Sequence, residues 1–223
     1  MDRVSAHAGP VSGVRQGRLA TALVFIASLP ACTYGPVREV TRIENADERF
    51  NTRTFAVALN WQRFRDPTGL SQFPDGGSRR VLEQAALFYL CDAESSSARL
   101  LARIPRPKGM ESGFSPWIIG WGDDCIYVKV TGRRYSWRRG AVGGLNLWHY
   151  RIGLDGSYAR ITDLPDSVRL GTETGIYLPG ERTFLRVGAA TDSIDVTLEP
   201  GEPRRRAFGV NQARGTLEPV RRG

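Results

Sequence analysis

The groups in this chain best able to do chemistry are few: three cysteines, two histidines, an adjacent aspartate pair and one dense run of arginines with aromatics. His149 sits in Trp148-His149-Tyr150, where a single imidazole between aromatics reads as a packed strand residue rather than a general base. Ser115 lies in Gly113-Phe-Ser-Pro-Trp117, which begins like a nucleophile elbow. Trp117 stands where the second glycine is required, and no strand-to-helix context surrounds it. Asp123 and Asp124 would offer carboxylates to an acid–base pair or a cation, but strand neighbours point to opposite faces. A Gly-Asp-Asp turn is the better account of them. The sequence carries no phosphate-binding loop, dinucleotide fingerprint or zinc motif. No catalytic residue is assigned, no metal ligand set is present, and no cofactor is expected.

The arginine run is the strongest binding candidate. Arg133, Arg134, Tyr135, Trp137, Arg138 and Arg139, with Ser136 among them, are bounded by Gly132 and Gly140. In extended backbone Arg134, Ser136 and Arg138 would share one face, and Arg133, Tyr135, Trp137 and Arg139 the other. Guanidinium groups make forked contacts to phosphate or carboxylate, while the rings suit a lipid interface or a sugar. The bland alternative is a solvated hairpin whose Trp137 plugs the core edge. Trp117 and Trp121, flanking Ile118-Ile119-Gly120, read as core.

Cys32 draws its meaning from what precedes it. Arg3, Arg15 and Arg18 form a basic stretch opposed only by Asp2, and the uncharged run Leu19–Leu29 follows. At ~1.5 Å per residue that run makes roughly 17 Å of helix, about half the ~30 Å bilayer core, which suits a signal peptide and not a membrane span. Leu29-Pro30-Ala31-Cys32 then resembles the lipobox of bacterial lipoprotein precursors, with Pro30 departing from the usual small residue. The resemblance covers the leader and Cys32 only. It implies cleavage before Cys32 and acylation of that thiol; several chains at ~0.8 kcal/mol per buried methylene give stable attachment. A plain secretory leader, cut elsewhere, would leave Cys32 an ordinary thiol. Thr33 is not the aspartate linked with inner-membrane retention, so the resemblance points to the outer membrane, facing the periplasm. Residues 1–13 are long for such a leader, and initiation at Val11 or Val14 would give a more ordinary one; His7 is discarded either way.

An exported chain meets an oxidising compartment. Cys91 and Cys125 then form an even pair, each in a strand-like run, and are expected to be joined as a disulfide worth roughly 3–4 kcal/mol. The formal charge is +8, and the leader carries three Arg and one Asp, so +6 remains after cleavage. Lys108 and Lys129 are the only lysines. Behind such a leader the available anions are lipid headgroups, lipopolysaccharide or wall polymers; nucleic acid is not an expected partner.

The elements that must position these groups are β-like. Residues 32–53 read as a flexible tether, 54–200 as a β-rich domain, and 201–223, with Arg204-Arg205-Arg206, as a basic flexible tail. Strands are expected at 55–61, 81–91, 98–104, 125–130, 145–152, 158–164, 175–178, 183–187 and 194–198. A helix over 79–86 is an alternative, because Val81, Leu82, Ala85 and Ala86 fall on one helical face. Leu154-Asp155-Gly156-Ser157 reads as a hairpin turn. A faint repeat, Tyr89…Ala98-Arg99 against Tyr150…Ala159-Arg160, resembles the strand rhythm of β-propellers. The fold expected is mainly β: antiparallel sheets as an irregular sandwich or a small, incomplete propeller-like array. The function expected is a lipid-anchored, non-catalytic envelope domain that binds an envelope component or a partner protein. Two rivals stand beside it, an envelope hydrolase with a carboxylate site and a structural subunit of an envelope assembly.

Overall fold

The computed structural model describes residues 34–49, 52–67, 80–136, 140–166, 168, 185–198 and 202–220. Among them run twelve strands: β1 (Tyr34–Glu48), β2 (Thr54–Pro67), β3 (Arg80–Asp92), β4 (Ser97–Pro105), β5 (Met110–Trp121), β6 (Cys125–Ser136), β7 (Gly140–Gly153), β8 (Tyr158–Ile161), β9 (Arg186–Ala189), β10 (Ser193–Thr197), β11 (Arg205–Asn211) and β12 (Thr216–Pro219). They form three four-stranded antiparallel sheets, β1–β4, β5–β8 and β9–β12, each an uninterrupted meander. The protein is mainly β, as its sequence implied.

The first sheet is the middle layer. Along β2, Phe55, Val57, Leu59 and Trp61 join the core shared with the third sheet, while Ala56 and Ala58 join the core shared with the second. Along β3, Ala85, Leu87, Tyr89 and Cys91 face the third sheet, and Ala86 and Phe88 face the second. Strands buried on both faces need apolar residues at every position, so their sequence loses the period of two. The helix alternative over 79–86 is overturned: residues 80–86 lie in β3, whose first residues Arg80, Leu82 and Glu83 are exposed and whose burial on both faces begins at Gln84.

Residue size is complementary across the layers. The first sheet offers Ala56, Ala58, Ala86 and Ala102 beside Phe88, Leu101 and Ile104, and the second answers with Met110, Phe114, Trp148, Tyr150 and Ile152. Small residues opposite large ones let two sheets interlock without voids. On the other side Phe55 meets Phe208 edge to face, with centroids 5.6 Å apart and planes at 70°. Phe208 is fully buried, so residues 202–220 of the expected tail are folded: β11 and β12 complete the third sheet. The expected tether likewise contains β1.

The free edge of β1 is stitched to both neighbours. Ile43 N–H donates to Thr191 O (2.8 Å), Val187 N–H to Glu48 Oε1 (2.6 Å), and the Gln212 amide clasps the N–H and C=O of Thr41 at 3.0 and 2.8 Å. Toward the second sheet, Asn45 accepts from Ile118 N–H (3.0 Å) and donates to Ile118 O (3.3 Å). These bonds satisfy an edge that would otherwise be open to pairing. Burial raises the Glu48 carboxyl above its usual range, partly offset by the bond from Val187. β1 thus touches the first strand of each flanking sheet, as neighbouring propeller blades do, and among the described residues no sheet closes on itself. The faint sequence repeat falls on the third and fourth strands of the first two sheets, where Leu90 pairs Arg99 and Tyr150 pairs Arg160.

The expected disulfide is absent. Cys91 and Cys125 are both buried free thiols. Cys91 faces the third sheet, whereas Cys125 belongs to the second, so the middle sheet intervenes. Burial alone pushes the Cys91 thiol far up, keeping it protonated. The Asp-Gly hairpin is present: Gly156 adopts φ +96°, and Asp155 Oδ1 accepts from Ser157 N–H at 2.9 Å and Ser157 Oγ at 2.7 Å.

Candidate binding face on the second sheet

Strand alternation sorts β6 into two sides. Ile126, Val128 and Val130 enter the core, and Met110 lies against Gly132 on that same side. Tyr127, Lys129 and Arg133 therefore face outward, and Thr131, on the same side, is buried. Antiparallel register sets Trp117, Lys129, His149 and Ile161 side by side across four strands, and Ser115, Thr131 and Leu147 in the next row. Trp117 is 40% exposed and Leu147 51%, both high for large apolar side chains on a folded sheet. Trp117 is thus a surface residue, contrary to its expected place in the core. Trp121 is the partly buried one, packed on the core between the first two sheets.

A hydrogen-bonded chain fixes Trp117 by the edge of its ring. Its Nε1–H donates to Ser115 Oγ at 2.9 Å, and Ser115 Oγ–H donates to Glu44 Oε2 at 3.1 Å. Glu44 is the extra residue of a β-bulge between Ile43 and Asn45, which turns its carboxylate toward the second sheet. Its Oε1 accepts from Asn60 Nδ2 at 3.1 Å. Asn60 also donates to Phe114 O (2.9 Å) and accepts from Gln84 Nε2 (3.0 Å). Asn60 and Gln84 are buried, so each bond removes a desolvation cost that an unpaired amide would carry. Above the ring, the Lys129 ammonium lies 5.9 Å from its centroid, within cation–π range.

His149 is the imidazole of this face. Burial first, and the Lys129 charge second, hold its imidazolium below the usual range. The unfolded chain therefore binds the proton more readily than the folded one, and stability falls as pH drops below about 6.5. Replacing His149 with Gln should flatten that acid limb in urea melts at pH 5 to 7. Arg151 and Asp124 form an ion pair at 2.7 Å beside this patch, and this contact holds the guanidinium pKa above its usual value. A hydrogen bond to the Cys125 thiol raises the Tyr127 hydroxyl.

The sequence candidates distribute unevenly. Arg133 is exposed on the outward face, at the end of the line carrying Lys129 and Thr131. Arg134 and Tyr135 continue β6, but their side chains, together with all of Trp137, Arg138 and Arg139, lie outside the described residues. Cys32 and the leader also lie outside them. Asp123 and Asp124 occupy the turn between β5 and β6, closed by Gly122 N–H to Cys125 O at 2.8 Å, and both are exposed. Among the described residues no group of three or more His, Cys, Asp or Glu gathers for a metal ion. Glu44 went unnoticed in the sequence, because only a bulge aims it at Ser115. No family model, curated protein or solved structure matches this chain.

Proposed function

We propose that this chain is a lipid-anchored binding domain of the bacterial cell envelope, tethered through Cys32 and engaging an anionic envelope component without catalysing a reaction on it. The observation that carries the binding half is the outward face of the second sheet, where Trp117 and Leu147 stand exposed beside Lys129 and Arg133. Apolar and cationic groups on a broad strand surface suit an extended anionic partner. The strand runs on to Ser136, and Arg138 and Arg139, which follow it in the sequence, would lengthen the cationic track. Anchoring rests on the lipobox resemblance alone.

Replacing Arg133, Arg134, Arg138 and Arg139 with Gln tests this reading. Cosedimentation with isolated wall or anionic vesicles should drop several-fold at low salt, and the remaining binding should depend less on salt. Unchanged sedimentation would remove the arginine run from the contact. A structural role in an envelope assembly is the second reading. It is favoured by β4, an outer strand of the middle sheet with Leu100 45% exposed.

A further inference from the structure

We propose that Trp117 is a preset stacking platform for the sugar rings of an acidic glycan, with Lys129 as the carboxylate contact. The inference rests on the binding reading above and names the ligand class for that face. Three observations carry it.

The first is immobilisation. An exposed tryptophan normally loses rotamer freedom when it binds, which weakens the complex. Here the cost is met in folding, because the chain Trp117–Ser115–Glu44–Asn60–Gln84 runs from the surface ring into the buried interface between two sheets. Five side chains in series are more than a solvated ring requires.

The second is the row across the strands. Trp117 offers an apolar face, Lys129 a compact cation, and His149 a neutral imidazole with one donor and one acceptor. Adjacent strands lie ~4.8 Å apart, so the three side chains span roughly 10 Å. A sugar acid presents matching groups: an apolar C–H face, a carboxylate and hydroxyls. The length of the row fits more than one ring.

The third is charge. Lys129 and Arg133 line the outward side of β6, while two carboxylates by this face are already engaged, Asp124 by Arg151 and Glu44 by Asn60 and Ser115. A bilayer interface is the rival occupant. It favours a tryptophan whose N–H is free to reach headgroups, and this N–H is held by Ser115.

The test uses the mature acylated protein in detergent micelles, titrated with polygalacturonate, dextran and polyglutamate, and separately sedimented with phosphatidylglycerol vesicles. Polygalacturonate should bind more tightly than either control, since dextran lacks carboxylates and polyglutamate lacks rings. Trp117→Ala should weaken it roughly tenfold and Trp117→Phe about threefold. Ser115→Ala, which keeps the ring and frees its N–H, should weaken it by about twofold to fivefold. Lys129→Gln should erase the preference over dextran. Urea melts of each variant separate misfolding from lost contact, with Trp117→Phe the least disruptive change. No affinity for polygalacturonate, equal affinity for polyglutamate, or indifference to Trp117→Ala and Trp117→Phe would each overturn the proposal. So would dependence on Trp117 seen with vesicles alone. If the Gln variant of the arginine run sediments normally while Trp117 still governs polygalacturonate binding, only the arginine part of the broader reading fails.

Discussion

Phe208→Ala is expected to cost about 3–5 kcal/mol of folding free energy, measured as a lower urea midpoint at unchanged slope. Phe208 is fully buried and meets Phe55 edge to face, in a core that also holds Ile194, Val196 and Leu217. Truncation leaves a cavity between two sheets whose backbones are fixed by their own ladders, so the site collapses little. Against a typical total of 5–15 kcal/mol, the loss would be large. The same substitution in a solvated tail would fall within about 0.5 kcal/mol. The measurement therefore decides whether β11 and β12 belong to the folded unit. A change near zero would detach the third sheet from the middle one.

Cys32→Ala is expected to abolish acylation completely: no label from a palmitate analogue, accumulation of the longer precursor, and a much smaller membrane fraction. The effect is all-or-none because a single thiol would carry the chains, and each lost methylene removes ~0.8 kcal/mol of membrane affinity. Labelling that persists in the variant would end the anchoring proposal. Fold and anchor are separable: the substitution should leave the urea midpoint of purified protein unchanged, since Cys32 lies ahead of β1.

Much of the β content was legible because short apolar runs are bounded by turn residues. The Asp155-Gly156 hairpin and the strands around Cys91 and Cys125 follow from local chemistry. Three features were hidden. β1 carries charged residues along most of its length, such as Arg38, Glu39, Arg42 and Glu44, because edge bonds and a bulge secure it more than burial does. β11 begins with Arg205-Arg206 and looked like a solvated end, yet Phe208 alone anchors it deeply. The cysteine pairing failed because compartment and even number say nothing about which side of a sheet each thiol occupies.

The binding face was half visible. Arg133 and its neighbours announce themselves by composition, while Trp117, Lys129 and His149 are scattered over three strands and become neighbours only through register. Trp117 also sat among Ile118 and Ile119, where hydrophobic company suggests burial. Its exposure follows from alternation: Pro116 and Ile118 turn inward, so Trp117 turns out.

The order of the layers has an evolutionary consequence. Among the described residues, the second and third sheets lean chiefly on the first and not on each other. Each flank can diverge at its own pace, because a change in one does not pass to the other except through the central ladder. Duplication of one meander at either end would add a module without disturbing any existing seam.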